Sequence, residues 1–287
     1  MLKRLAIGAG AALIVLVIAF MAWVGDVLTR PALATIGPPP ADLGASDVVL
    51  TPPGGAKVSG WLVPGDDGKA AVLLLHGVRA NRLQMLERAR WLHGMGYSVL
   101  LIDQPAHGES PADRITFGAH EANGVTAALA YLEASRPGRK IGVIGVSMGA
   151  ASLVLSNPKA RDLGAVVLES MYPTIEEALA DRIALDHGKW AQAFAPLLLW
   201  QLPLRTGVWP AELRPIAAIG SLHVPLLVAA GSIDRHTTLS ETRRIFAAAN
   251  PPKELWIVDG AAHVDLFAFD RKAYATRVGG FLREHLR

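Results

Sequence analysis

The stretch AAVLLLHG (70–77) opens with six consecutive apolar residues. A strand with one wet face alternates polar and apolar side chains, so an uninterrupted run predicts a strand covered on both faces, as in a parallel sheet. Comparable runs recur at YSVLLID (97–103), KIGVIGV (140–146), LGAVVLES (163–170), VPLLVAAGS (224–232) and KELWIVD (253–259). Helical patterns separate them: RLQMLERARWLHGMG behind a capping Asn81, EANGVTAALAYLEAS, the small residues after Ser147, a helix opened by the capping box Thr238-x-x-Glu241, and a closing helix from about Asp270. Strand and helix alternating at this spacing predict a doubly wound, mostly parallel α/β sheet. DVVLT (47–51) and KVSGWLV (57–63), joined across the turn PPGGA (52–56), add two strands ahead of it.

Two segments stand outside this alternation. MLKR precedes an uncharged stretch, Leu5 to Gly25, about the length that crosses a hydrocarbon core as a helix. Trp23 falls at its far end, where an indole suits the interface, and Lys3 and Arg4 predict a cytoplasmic N-terminus with the remainder exported. Residues 1–25 are therefore read as a transmembrane anchor, 26–46 as a linker stiffened by Pro38 to Pro40, and 47–287 as the folded domain. A cleaved signal sequence is the competing reading, since Ala32-Leu33-Ala34 has the form of a cleavage site. The apolar run exceeds a normal signal core and ends well before Ala34, which favours the anchor. The second segment, about 171–223, carries helical and loop signals without a strand, and its apolar part AQAFAPLLLWQLPL is broken by Pro196 and Pro203. It is too short to span a membrane and reads as a helical cap over the carboxyl ends of the strands. FAPLLLW within it either lines an acyl pocket or packs onto the core.

Chemistry concentrates at strand ends. Gly145-Val146-Ser147-Met148-Gly149 is a G-x-S-x-G motif between a predicted strand and a predicted helix, the context in which a strained turn lifts a serine hydroxyl above the sheet. A serine hydroxyl is a weak nucleophile that needs a base within reach and donors for the oxyanion that forms. LLLHGVRAN turns just after its strand, offering the Val78 N–H, and the Met148 N–H follows the serine directly. Asp234 lies past the end of a late strand and His263 in the loop after the last one, giving the chain order Ser, Asp, His.

On these motifs the region from about Asp47 to Arg287 resembles the α/β-hydrolase superfamily, and within it the bacterial anchored or exported hydrolases of the serine-aminopeptidase and dienelactone-hydrolase-like branches. The resemblance implies Ser147 as nucleophile, His263 as general base and acid, Asp234 orienting the imidazole, and Val78 and Met148 as oxyanion donors. It also implies an acyl-enzyme route with no cofactor and no metal. DQPAHGES matches the family loop through Asp103, Gly108 and Ser110, but Gln104, Pro105 and Ala106 stand where relatives often have Arg-Gly, which leaves pocket shape open. Glu169 occupies the place where some relatives carry the acid. Asp265 is badly placed for the far ring nitrogen of His263. His76 reads as a brace for the oxyanion turn, and His236, two residues past Asp234, as either a neighbour of the site or a solvated loop residue, the latter favoured.

The expected activity is cleavage of an ester-type acyl bond in a small-molecule or lipid-like substrate. A peptidase, amidase or thioesterase would use the same groups, and a tethered binding protein would need none of them. The absence of cysteine excludes a thiol nucleophile and a cysteine zinc site, and the histidines lack metal-ligand spacing. A net charge of +3 without a basic cluster gives no footprint for nucleic acid.

Overall fold

The computed structural model describes residues 2–52, 55–158 and 163–287. Part of the predicted PPGGA turn, residues 53 and 54, therefore lies outside the described residues, as do the side chains of Lys3 and Arg4. The chain opens with helix α1 (Leu2–Thr29) and the two-residue strand β1 (Ala32–Leu33). The strands β2 (Ser46–Leu50), β3 (Val58–Val63), β4 (Ala71–Leu75) and β5 (Ser98–Ile102) follow, then the short β6 (His107–Gly108), and β7 (Ile141–Val146), β8 (Leu163–Glu169), β9 (Leu226–Gly231) and β10 (Lys253–Val258). The main sheet has eight strands in the order β10-β9-β8-β7-β4-β5-β3-β2. Pairing is parallel from β5 to β10 and antiparallel where β3 meets β5 and β2.

The uninterrupted apolar runs are explained by cover on both faces. Leu73, Leu75, Leu100, Ile102 and Val143 face one layer, built with α3 (Glu121–Ser135) and α4 (Met148–Leu155). Val72, Leu74, Val99, Leu101 and Ile144 face the other, built with α2 (Leu86–His93) and the closing helix. Alternation thus survives in direction while disappearing in polarity.

The strandless region forms the cap. It contains α5 (Ile175–His187), α6 (Ala195–Leu199), α7 (Leu202–Thr206) and α8 (Pro215–Ala218). Thr174 caps α5 by accepting from the Glu177 N–H. Pro196 and Pro203 begin short helices, where a missing N–H costs nothing. After β9, α9 (Leu239–Ala248) opens on the predicted Thr238/Glu241 capping box. After β10 come α10 (Leu266–Phe269) and α11 (Arg271–His285), the latter capped by Asp270.

The N-terminal region departs from the expected boundaries. α1 continues past Gly25 to Thr29, held by Asp26, which pairs with Arg30, Arg114 and Arg205 at 2.6, 2.7 and 3.4 Å. The segment read as a spacer is strapped to the domain instead. Ala32 and Ala34 donate their N–H groups to the carbonyls of Ala106 and Gly108, and Ile36 donates to the Glu109 carboxylate.

A buried polar network ties four elements together. The guanidinium of Arg88 on α2 pairs with Glu169 at the end of β8 at 2.7 Å and with Asp265 before α10 at 2.8 Å. The Tyr274 hydroxyl on α11 donates to the second Glu169 oxygen. Arg88 and Glu169 are each 1% exposed, so deleting Arg88 leaves the buried Glu169 carboxylate without its cationic partner. Arg88→Met is expected to lower stability by about 3–5 kcal/mol, measured by urea unfolding of the detergent-solubilised chain. A loss below about 1 kcal/mol, the scale of a surface pair, would contradict this.

The cap meets α9 through a second charged contact. Burial, followed by the charges of Glu241, Glu177 and Asp234, pushes the Asp181 carboxyl on α5 up to about 7. Between the ordinary value of about 3.9 and 7 the folded chain holds a proton that the unfolded chain has released. This group therefore removes stability as pH rises through that window. Asp181→Asn is expected to raise Tm at pH 8 and leave it near wild type at pH 4. An equal shift at both pH values would refute the assignment.

Candidate active site

Sheet register brings the first two parts together. Leu75 of β4 lies opposite Gly145 of β7, so two residues further on Gly77 and Ser147 fall side by side. A Cβ on Gly77 would sit 3.7 Å from that of Ser147. Ser147 has φ 51° and ψ −113°, a conformation a side-chain-bearing residue adopts only when its surroundings impose it. The two flanking glycines are that imposition. A Cβ on Gly149 would lie 2.5 Å from the Leu75 carbonyl oxygen, and one on Gly145 would lie 2.7 Å from the Ala150 backbone. Hydrogen bonds from the Ser147 N–H to the Glu169 carbonyl (2.8 Å) and from the Ala151 N–H to the Ser147 carbonyl (3.1 Å) lock the turn.

The adjoining turn is braced as the sequence suggested. The Gln104 N–H donates to Nε2 of His76 at 2.9 Å, so Nδ1 carries the proton and donates to the Gly77 carbonyl at 2.8 Å. Burial, with the neighbouring His107, pushes the His76 ring down to about 3, keeping it neutral as this pattern requires. The Gln104 amide donates to the His76 carbonyl, and Gln84 accepts the Gly77 N–H at 2.8 Å. The next N–H along is Val78. Among the described residues, neither it nor the Met148 N–H is paired with a protein acceptor. Both residues line the same cavity as Ser147.

Asp103, Gly108 and Ser110 hold the loop beyond. Asp103 accepts the N–H groups of Arg82 and Glu109, and the Ser110 hydroxyl donates to the Asp103 carbonyl at 2.7 Å. Gly108 has φ 51°, and a Cβ there would strike the Asp103 carboxylate. The unusual Gln104-Pro105-Ala106 stretch supplies the His76 brace and, through the Ala106 carbonyl, the seat for the N-terminal strap.

Asp234 follows β9 and His263 follows β10, both at the carboxyl edge of the sheet. Nδ1 of His263 bonds Oδ2 of Asp234 at 2.8 Å, while Oδ1 of Asp234 accepts the N–H groups of His236 and Thr237, each at 2.9 Å. Burial works to raise the Asp234 carboxyl, but the His263 hydrogen bond and charge and the two backbone donors outweigh it and hold the group below the carboxylate norm. Glu169 is occupied by Arg88 and Tyr274, and Asp265 by Arg88 and the Ala268 N–H. Asp234 is the carboxylate bonded to His263.

His236 corrects the favoured sequence reading and bears out the other, a neighbour of the site. It is not a solvated loop residue: its ring stacks on His263, centroids 4.9 Å apart at 23°. The two-residue turn that gives its N–H to Asp234 folds it back onto the site. Burial, then the charges of Arg182 and His263, holds its imidazole below the ordinary value, favouring the neutral ring.

Ser147, His263 and His236 share a cavity of about 380 Å³, within the range of small-molecule sites. Leu198, Leu199 and Leu202 of the cap line it, so the FAPLLLW stretch contributes to the pocket. Sequence reasoning missed that α1 contributes to the wall through Gly25, Leu28 and Thr29. Among the described residues no group of three or more His, Cys, Asp or Glu is arranged to hold a metal ion.

Residues 72–277 match the alpha/beta hydrolase family. The uncharacterized protein Rv2307c of Mycobacterium tuberculosis is 31% identical over 244 residues, covering 83% of this chain and 79% of its own length. The uncharacterized protein YqkD of Bacillus subtilis is 26% identical over 231 residues, covering 79% and 76%. Among solved structures, the esterase Pf2001 of Pyrococcus furiosus superposes with a TM-score of 0.75 at 26% identity, covering 91% of this chain and 99% of that one. The eight-stranded sheet, the strained serine turn and a family match across most of the domain lead to one conclusion: this chain belongs to the alpha/beta hydrolase family.

Proposed function

We propose that the chain is a membrane-anchored serine hydrolase that cleaves an ester-type acyl bond. The observation that carries this reading is the His263 Nδ1–Asp234 contact at 2.8 Å in the cavity that also exposes Ser147. With Nδ1–H committed to Asp234, Nε2 is the basic nitrogen available to a hydroxyl. His263 takes the Ser147 proton as Oγ attacks the substrate carbonyl. The N–H groups of Val78 and Met148 stabilise the oxyanion of the tetrahedral intermediate. On collapse, His263 returns the proton to the leaving alcohol, and an acyl group remains on Ser147. His263 then deprotonates water, which attacks the acyl-enzyme, and returns that proton to Ser147 Oγ as the acid leaves. Amide and thioester cleavage would use the same groups. The largely apolar cavity and the esterase identity of the Pyrococcus furiosus neighbour favour an ester.

In this reading α1 is an uncleaved anchor, with a cytoplasmic N-terminus and the hydrolase domain on the far side of the membrane. Lys3 and Arg4 support the orientation. Retention is supported by the cavity wall, because cleavage at Ala32-Leu33-Ala34 would remove Gly25, Leu28 and Thr29 from it.

Asp234→Asn is expected to lower kcat on a soluble short-chain ester by about 10⁴-fold, with KM little changed, because the imidazole loses its tautomer and orientation. Turnover within about tenfold of wild type, less than a general base contributes, would remove Asp234 from this role.

A further inference from the structure

Outside α1, the exposed large apolar residues among the described residues cluster on the cap. Leu197, Trp200 and Leu204 follow one another at three- and four-residue spacing along α6 and α7 and are 49%, 74% and 76% exposed. Trp190 and Trp209 flank them and are also exposed. The same two helices present Leu198, Leu199 and Leu202 to the cavity. They are thus apolar toward the site and apolar away from it, a pattern that needs a second apolar environment outside the protein.

That surface is continuous with α1. Gln201 donates to the Met21 carbonyl at 3.3 Å, and Arg205 donates to the Ala22 carbonyl at 2.5 Å. A hydrocarbon core takes about 20 helical residues, so a span starting after Arg4 ends near Val24. Met21 and Ala22 lie two or three residues short of that point, roughly 3–5 Å at 1.5 Å per residue. The cap therefore touches α1 at the level where the helix leaves the hydrocarbon. The exposed rings of Phe20 and Trp23 mark the same level, and indoles favour that interface. The cavity runs from Ser147 and His263 to this junction, where Leu28 of α1 stands with Leu198 and Leu202 of the cap.

We propose that the α6–α7 face lies in the interface of the bilayer that α1 spans, and that the cavity receives its acyl chain from that leaflet. The substrate class is then a lipid ester already dissolved in the membrane, not a water-soluble ester. The reaction rests on the serine-hydrolase reading; the docking of the cap does not. Trp200 and Leu204 face away from the cavity, so substituting them alters the outer surface and leaves the cavity lining intact.

The test reconstitutes the full-length chain into phosphatidylcholine vesicles with ordinary or bromine-labelled acyl chains, and compares wild type with the double variant W200S/L204S. Three quantities are measured: bromine quenching of tryptophan emission, turnover of p-nitrophenyl butyrate added in water, and turnover of a long-chain monoacylglycerol carried in the vesicles. The expected result is loss of one quenchable tryptophan component in the variant, butyrate turnover within about twofold of wild type, and monoacylglycerol turnover lower by about tenfold or more, since interfacial binding scales with buried apolar area. An unchanged quenched component overturns the proposal, as does an equal fall on both esters. So does a wild-type dimer, seen by crosslinking, that the variant abolishes without change in quenching; the face would then bind a second copy. If wild type hydrolyses neither ester, the hydrolase reading fails, and quenching alone still decides whether the cap meets the bilayer.

Discussion

The candidate site depends on the close approach of the start of α4 to the end of β4. The carbonyl oxygens of Leu75 and His76 come so near Gly149 that no side chain fits there, and Gly145 is pressed equally hard from the other side by Ala150. Between them Ser147 is held at φ 51°, a strain of about 1–3 kcal/mol. It is sustained by the hydrogen bonds on either side of it and by the parallel register of β4 and β7. The same register sets the Gly77–Val78 turn beside the serine, so one packing requirement positions both the hydroxyl and the donors next to it.

The second half of the site depends on a different device. Asp234 and His263 come from loops, which are held by hydrogen bonds where helices and strands are not available. The Asp234 carboxylate takes three donors, from His263, His236 and Thr237. The His263 loop is pinned two residues later, where Asp265 joins the Arg88 network. Arg88 and Glu169 do not line the cavity, and they tie together the elements around it.

Most of the domain was legible in the sequence because its signals are local. Buried strands carry unbroken apolar runs, the glycines around Ser147 report a close approach, and Asp234 and His263 could be placed by counting from strand ends. What escaped was set by contacts distant in sequence. Nothing near His236 announces that a turn around Asp234 folds it onto His263. Nothing near Asp26 announces Arg114 or Arg205, so the docked end of α1 and the strap through Ala32 and Ala34 read as a free spacer. Pro196 and Pro203 looked like interruptions of an apolar run, whereas each starts a helix. The Gln104–Ala106 departure left the pocket undefined until its partners, His76 and Ala32, were seen across the fold.

In the proposed reading, an anchor that forms part of the cavity wall couples the location of this protein to its chemistry, and the chemical part of that reading depends on an activated Ser147. The most direct measurement is to treat the folded full-length chain with a fluorophosphonate probe and locate the adduct by peptide mass spectrometry, alongside Ser147→Ala. The account predicts a single phosphonylated residue, Ser147, and an unlabelled variant. A folded wild-type chain that takes no label, or takes it equally in Ser147→Ala, would contradict it.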